Sequence, residues 1–220
     1  MDTELDLLEN NITLYHGSDH IVKIPEFGKG KSNNDYGLGF YTTKDKGLAG
    51  EWATPSPFAD GFINEYKLNY GGLSVLNLNN QPVEVWIAIV MKYRGGKYGH
   101  LADSRRYKFI DKYMIDISGY DIIEGWRADD AFFGYINAFL VVGLSLEKLQ
   151  EAMKLGDLGM QVCLKSEKSY QHISYVTSYP AQANQYFKLR DIRDKKAKDD
   201  YLNMKNRSQG TIIFDMIGRD

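Results

Sequence analysis

The chain has a single cysteine, Cys163, in 220 residues. One thiol cannot form an internal disulfide, and such low cysteine usage is typical of a protein in a reducing compartment. Lysine plus arginine total 27 and aspartate plus glutamate total 29, so no overall basic field attracts nucleic acid or an anionic membrane. This balance still allows a local basic patch.

Long hydrophobic runs are also missing. The longest apolar stretches, residues 83–91 and 138–144, are too short to span a bilayer. The N-terminal segment, MDTELDLLEN, is acidic and lacks the basic and apolar blocks of a secretory signal peptide. We therefore expect a cytoplasmic protein with no membrane partner.

Neither a metal site nor a nucleotide-binding motif is complete. Four histidines, at positions 16, 20, 100 and 172, and one cysteine show no metal-ligand spacing, so we expect no metal. The segment GKGKS at 28–32 lacks the spacing of a phosphate-binding loop, and GLGFY at 37–41 lacks a full dinucleotide fingerprint. Cys163 lies in a predicted buried strand, which favours a packing role over a nucleophilic one.

The composition is that of an ordinary globular protein, with 43% hydrophobic and 25% charged residues. The length fits one domain with an appendage or two small domains. Hydrophobic periodicity predicts short strands and helices, and the glycine-rich stretch 28–39 predicts a loop with no packed element. Strands are predicted at 12–15, 40–43, 61–68, 73–78, 119–125, 161–164 and 172–176, and the main helices at 44–53, 82–93, 104–113, 128–142 and 145–155.

The composition changes after residue 185. Residues 188–207 hold eight basic and four acidic side chains and little that belongs in a core, which indicates a charged helix. The apolar segment 211–217 is expected to dock on another part of the chain. We therefore divide the chain into a domain at 1–185 and a charged helical extension at 186–220.

Two motifs near the N-terminus suggest a ligand site. LYHG at 14–17 ends an early predicted strand, and GLGFYTT at 37–43 forms a second strand flanked by glycines. The imidazole of His16 is suited to bond a ribose hydroxyl, and Tyr41 and Trp52 are candidates to hold a flat, cationic nicotinamide ring. Gly17 lacks a side chain, so its backbone is free to meet the carboxamide. The alternatives are a surface or core-satisfied histidine for His16, a core position for Trp52 and a plain turn for Gly17.

These residues resemble a known family. YHGS at 15–18, GFYTT at 39–43 and AGEW at 49–52 are similar to the nicotinamide-pocket signature of ADP-ribosyltransferases in the diphtheria-toxin and poly-ADP-ribose polymerase branch, whose motif is His, Tyr, Glu. Over about residues 12–180 the chain also resembles an uncharacterised family of bacterial domains. The shared motifs there are YHGS, the block at 35–43, INEY at 63–66, YDIIEGWRADD at 120–130 and QVC at 161–163.

The resemblance implies a fold and an activity. The fold is α+β, with two small, mostly antiparallel sheets forming a split core around an NAD cleft, flanking helices and a C-terminal helical tail. The activity is mono-ADP-ribosylation of a protein or nucleic-acid acceptor, with NAD as substrate. A bacterial toxin or effector is implied, with a small inhibitor protein encoded beside it as a further partner.

The resemblance fails at one position. Where the family has its catalytic glutamate, this chain has Gln161. A neutral amide keeps the hydrogen bonds but loses the charge, which costs roughly 2–4 kcal/mol of transition-state stabilisation. The enzyme is then slow, or a carboxylate comes from elsewhere, or the protein is a catalytically weak or inactive module that binds NAD or ADP-ribose and acts through a protein partner.

Asp129 and Asp130 are the candidates for that carboxylate, because they lie at the start of the predicted helix 128–142. Helix capping explains this pair equally well. Gln161, Asp129 and Asp130 are therefore the predicted catalytic residues. Arg127 is expected either at the rim of the site or in a solvated loop, and Asp35 is expected to be a turn former rather than an acid.

Overall fold

The computed structural model of the protein describes residues 10–95, 100–128, 130–155 and 159–218. Within these ranges the strands are β1 (Asn11–Ser18), β2 (Phe40–Thr42), β3 (Gly61–Asn69), β4 (Val75–Asn77), β5 (Ile122–Trp126), β6 (Met160–Leu164) and β7 (Ile173–Ala181). The helices are α1 (Lys46–Ala53), α2 (Val83–Arg94), α3 (His100–Tyr113), α4 (Asp130–Leu140), α5 (Leu146–Lys154), α6 (Glu167–Gln171), α7 (Ala183–Asn203) and α8 (Ile213–Ile217).

The strands form two small sheets. One has the order β1-β3-β7 and the other has the order β2-β6-β5-β4. All strand pairs are antiparallel except β4 with β5. The sheets meet where Tyr15 of β1 exchanges two backbone hydrogen bonds with Thr43, of 2.7 and 2.9 Å. The predicted α+β fold with two small, mostly antiparallel sheets is therefore confirmed.

The main core lies around α2, whose residues 85–91 are all buried. A helix that is apolar on every side must be enclosed, and strands of the four-stranded sheet, α3, α4 and α8 supply the enclosing side chains. A second cluster packs the two sheets together through Leu14, Leu68, Ile122, Val162 and Leu164. Among the described residues, none of the helices has the length and apolar character needed to cross a bilayer.

The C-terminal segment is packed onto the rest of the chain. Ile213 and Met216 of α8 are buried in the main core, which is the docking predicted for 211–217. Helix α7 starts earlier than predicted, because the carboxylate of Asp60 accepts a hydrogen bond of 2.7 Å from the Ala183 N–H and so caps the first turn. This cap comes from a distant part of the chain, so local composition could not reveal it.

The glycine-rich loop before β2 is anchored, contrary to the expectation of an unpacked segment. Tyr36 is fully buried, and its hydroxyl donates to the Trp126 carbonyl at 2.7 Å. Lys165 Nζ donates to the carbonyls of Tyr36 and Leu38 at 2.6 and 2.5 Å, which fixes the backbone on both sides of Gly37. One large aromatic side chain and one cation thus order a segment whose composition favours disorder.

Candidate functional site

The two sheets separate immediately after the contact between Tyr15 and Thr43, and this separation creates the site. Alternate residues of a strand turn their backbone groups to the same edge. Since Tyr15 uses its N–H and C=O on Thr43, the N–H and C=O of Gly17 face the edge from which β2 departs. In the part of the chain that the structure describes, backbone pairing between the two sheets does not continue past Tyr15 and Thr43. Beside this contact, the side chain of His16 takes over, and its Nδ1 lies 2.7 Å from the Tyr41 carbonyl oxygen.

This contact defines the chemistry of the His16 imidazole. A carbonyl oxygen can only accept, so Nδ1 carries the proton and, in the neutral ring, Nε2 is a free acceptor. Burial lowers the pKa of His16, and the hydrogen bond to Tyr41 offsets part of that effect. The neutral ring is therefore favoured near pH 7, and it can accept a hydrogen bond from a hydroxyl group. His16 and Tyr41 both line a cavity of about 560 Å³ on this side.

Gly17 is a strand residue that lies directly beneath α1, so the turn alternative is wrong. A Cβ atom at this position would lie 1.9 Å from the Ala49 carbonyl oxygen and 2.7 Å from the Ala53 nitrogen. The absence of a side chain therefore lets α1 approach β1, and α1 carries Trp52 to the site. Gly17 is not among the residues that line the cavity beside His16, so its contact with a carboxamide stays a prediction.

A second cavity, of about 200 Å³, adjoins the first. Its lining brings together several predicted site residues with others that the sequence did not suggest, namely Asn34, Asp35, Tyr41, Trp52, Arg94, Arg127, Ala128, Gln161 and Arg190. Asn34 and Tyr41 line both cavities, so the two spaces share a wall. Tyr41, Trp52 and Gln161 thus converge on one space, and His16 lies on the other side of the Tyr41 backbone.

The strand register explains why Tyr41 and Gln161 share a face. Alternation along β6 directs Gln161 and Cys163 away from Val162 and Leu164, which fill the core between the sheets. Tyr41 pairs with Cys163, so its ring lies on the same face. The Tyr41 hydroxyl donates to the Gly37 carbonyl at 2.6 Å and accepts from the Tyr36 N–H at 2.9 Å, which fixes the ring. Cys163 itself is fully buried, as expected for a packing residue.

Trp52 lies half-buried on the cavity wall and outside the buried core clusters. The Arg127 guanidinium carbon lies 5.3 Å from the centroid of its ring, in a cation–π arrangement. The indole Nε1 is buried and has no hydrogen-bond partner among the described residues. A buried donor without a partner is costly.

Gln161 is buried against a carboxylate. Its Nε2 donates to Asp35 Oδ2 at 2.7 Å and to the Trp126 carbonyl at 3.2 Å. Asp35 Oδ2 also accepts from the Ala128 N–H at 2.8 Å, and Asp35 Oδ1 lies 3.3 Å from Arg94. Burial raises the pKa of Asp35, whereas Arg94, the Ala128 N–H and Gln161 each lower it. The net result is a raised pKa, because burial has the largest effect, and the three donors favour the ionised carboxylate against that effect.

The interpretation of Asp35 as a turn former is therefore incomplete. The residue does lie in a turn, closed by a 2.9 Å bond from the Gly37 N–H to the Asn34 carbonyl. Its side chain, however, is 7% exposed and forms part of the cavity wall. Because Asp35 lies in a polar, glycine-rich loop, the sequence did not indicate that it is buried.

Three guanidinium groups give the smaller cavity a positive character. Arg94 ends α2, Arg127 follows β5 and Arg190 comes from α7. Arg127 therefore lies at the site and not in a solvated loop, which were the two positions that the sequence allowed for it. Arg94 pairs with Asp35 at 3.3 Å and Arg190 pairs with Asp194 at 3.4 Å, so two of these cations are partly neutralised. The lining still has more cationic than anionic groups, which favours a ligand with an anionic group.

The structure does not describe the side chains of Asp129 and Asp130, which the sequence predicted to be catalytic. Asp129 lies outside the described residues, and for Asp130 only the backbone is described, as the first residue of α4. Their catalytic role stays a prediction. The sequence did not suggest Arg94 and Arg190, and each reaches the site from a helix remote from the two motifs. Asp35 lies just before the second motif, and the sequence suggested only a turn for it.

The fold and this site define a class: a mixed α+β protein with a polar, cationic cleft where two small sheets separate. A family model described as a protein of unknown function (DUF3990) matches residues 12–175, and the chain belongs to this family. No curated protein and no solved structure matches the chain.

Proposed function

We propose that this protein is an NAD-dependent mono-ADP-ribosyltransferase with an ADP-ribosyltransferase-like split core. The observation that carries the proposal is the convergence of Tyr41, Trp52 and Gln161 on one cavity, with His16 held against the Tyr41 carbonyl beside it. These are the four side chains that the resemblance assigns to the nicotinamide end of NAD. They come from β1, β2, α1 and β6, so their proximity is a property of the fold and not of sequence adjacency.

The two adjoining cavities suit the two ends of the dinucleotide. Nicotinamide lies in the smaller cavity beside Tyr41 and Trp52. The predicted partner of its carboxamide is the backbone of Gly17, which lies outside the linings of both cavities. The neutral His16 accepts a hydrogen bond from a ribose hydroxyl. Arginine side chains around the smaller cavity stabilise the pyrophosphate by charge-assisted hydrogen bonds. Asn34 and Tyr41 line both cavities, so the two spaces are adjacent, and the proposal places one extended ligand along both.

The reaction is a substitution at the anomeric carbon of the nicotinamide ribose. The bond between C1′ and the pyridinium nitrogen breaks, and its electron pair leaves with nicotinamide, which becomes neutral. A lone pair of the acceptor forms the new bond to C1′, and the proton of the acceptor passes to solvent. The acceptor is a protein side chain or a nucleic-acid base, and a bacterial toxin or effector role with a small inhibitor partner agrees with this chemistry.

A second function is favoured by one observation, the neutral side chain at position 161. A site that binds NAD or ADP-ribose without the family glutamate would serve as a recognition module acting through a protein partner. The two functions differ in a measurable product, because transfer or hydrolysis releases free nicotinamide and binding alone does not.

The test is incubation of the full chain with NAD labelled in the nicotinamide ring, with and without cell lysate, followed by measurement of free nicotinamide. We expect release that is lost in His16→Ala and Tyr41→Ala. His172→Ala is the matched control, because His172 is also half-buried with its Nδ1 near a carbonyl, that of Asn69 at 3.1 Å, and lies outside both cavities. Binding without release would support the recognition module, and absence of NAD binding would exclude both functions.

A further inference from the structure

We propose that Asp35 is the positioning residue of this site and supplies, through Gln161, the negative charge that the family glutamate would provide. The inference rests on the proposed function for its substrate. It goes beyond the resemblance, because the resemblance assigns no role to Asp35 and puts no carboxylate behind the residue at position 161.

The orientation of the Gln161 amide is determined by its neighbours. Both N–H groups of Nε2 have acceptors, Asp35 Oδ2 and the Trp126 carbonyl. The Trp126 carbonyl also accepts from the Tyr36 hydroxyl at 2.7 Å and from Trp86 Nε1 at 3.0 Å. A flipped amide would place its oxygen against the ionised Asp35 carboxylate and the Trp126 carbonyl, which are both acceptors. The amide oxygen Oε1 is therefore left as the acceptor for a ligand, which suits a hydroxyl of the nicotinamide ribose.

The carboxylate also polarises this amide. A hydrogen bond to an ionised acceptor is shorter and stronger than one to a neutral acceptor, and it shifts electron density along the donor group. The 2.7 Å contact from Gln161 Nε2 to Asp35 Oδ2 has the length of such a bond. Because the Asp35 side chain is only 7% exposed, water screens this effect weakly. The amide oxygen consequently carries more negative charge than that of an ordinary glutamine.

The same geometry gives a reason for glutamine at position 161. A glutamate there would hold its carboxyl group about as close to Asp35 as the amide is now, and two carboxylates at that separation do not both ionise. The charged neighbours are Arg94 and Arg127, and the neutral titratable neighbours are Tyr36, Tyr41 and Cys163. Only one of two carboxyl groups this close together would be ionised, and in this chain Asp35 is the one carboxyl group of the pair.

The test is a double-mutant cycle of Asp35→Asn, Gln161→Glu and the combined variant, with kcat and KM for nicotinamide release measured between pH 5 and 9. We expect Asp35→Asn to lower kcat about 10²-fold with KM within about threefold, by analogy with the loss of one transition-state contact. Gln161→Glu alone also loses activity, and its activity rises toward high pH as the shared proton leaves. The combined variant moves the single charge onto residue 161 and recovers kcat to within about tenfold of the parent chain.

The matched control is Glu124→Gln. Glu124 is a carboxylate of β5 that is 14% exposed, pairs with Lys44 at 3.2 Å and bonds Tyr70 and Asn77 outside the cavity. Its kcat should equal that of the parent chain. Wild-type kcat in Asp35→Asn, or a combined variant as slow as the slower single variant, would overturn the inference.

A chain that releases no nicotinamide at all would refute the proposed transferase activity, and the pairing is then decided by thermal unfolding of the same four proteins. Breaking a buried hydrogen-bonded pair from either side should lower Tm by about 2–8 °C in each single variant. The combined variant should recover most of that loss. Additive losses in Tm would show that Asp35 and Gln161 are not coupled.

Discussion

Replacing Gly17 with alanine tests the packing on which the site depends. The new Cβ would lie 1.9 Å from the Ala49 carbonyl oxygen, 2.7 Å from the Ala53 nitrogen and 2.9 Å from Trp52 Cβ, whereas ordinary contacts are 3.4–4 Å. Backbone atoms make the two closest contacts, so no rotamer change can relieve them. Helix α1 must move away from β1 by about 1.5 Å, and it takes Trp52 with it.

The expected cost follows from two opposing terms. Forcing extra volume into a close-packed contact typically costs about 1–3 kcal/mol, and a backbone collision lies at the upper end of that range. Alanine gains about 0.4–1 kcal/mol by restricting the unfolded chain, because the φ angle of Gly17 is not among the positive ones. We expect the variant to lose about 2 kcal/mol of unfolding free energy and roughly 4–8 °C in Tm.

The assay is urea unfolding at pH 7.5, with Gly134→Ala as the matched control. Gly134 is an exposed residue of α4 with no atom within 4 Å of an added Cβ, so alanine there should stabilise the protein by about 0.5–1 kcal/mol. The two glycine replacements should therefore change stability in opposite directions. A Gly17→Ala protein as stable as the parent chain would show that α1 does not lie against β1 as described, and the cavity wall formed by Trp52 would lose its support.

Two further predictions concern charge. Burial lowers the pKa of His16 below 6.5. The stability associated with its neutral form is therefore complete above pH 6.5 and is lost as the pH falls through the lowered pKa. Urea unfolding at pH 7.5 and at pH 5 should show lower stability at pH 5, and His16→Gln should reduce this difference. Arg193→Leu leaves the 13%-exposed Glu51 carboxylate without its partner and should cost about 2 kcal/mol in the same assay. Lys196→Met, which breaks an exposed i,i+4 pair with Asp200, should change stability by less than about 0.5 kcal/mol, and equal losses in the two variants would contradict this reasoning.

Elements stabilised by local pattern were predictable from the sequence. The apolar run of α2 and the strand β6 were located to within a residue or two, because burial there depends on hydrophobic periodicity alone. Strand β7 was predicted at 172–176 but extends to Ala181, because it pairs with β3 along its whole length. Such pairing is a long-range property, and residues as polar as those of β7 give no local sign of it.

The candidate site was predictable in part, for a related reason. His16, Tyr41, Trp52 and Gln161 lie in or beside recognisable motifs, and the structure brings them to adjoining cavities. The burial of Asp35 was not predictable, because it depends on Tyr36, which anchors the loop in the main core next to Trp86. The composition of that loop favours an exposed turn, but burial of the Tyr36 side chain holds the loop against the core.

The position of α7 shows that the C-terminal segment belongs to the site. The sequence-based boundary at residue 186 falls within the first turn of this helix. Tyr186 packs so closely on Gly50 that a Cβ there would lie 2.4 Å from its ring, and Arg193 pairs with Glu51, the neighbour of Trp52. Arg190, between these two contacts, lines the smaller cavity. The charges of α7 therefore serve two purposes, since one face is solvated and the other ties α1 in place and contributes a cation to the ligand cleft.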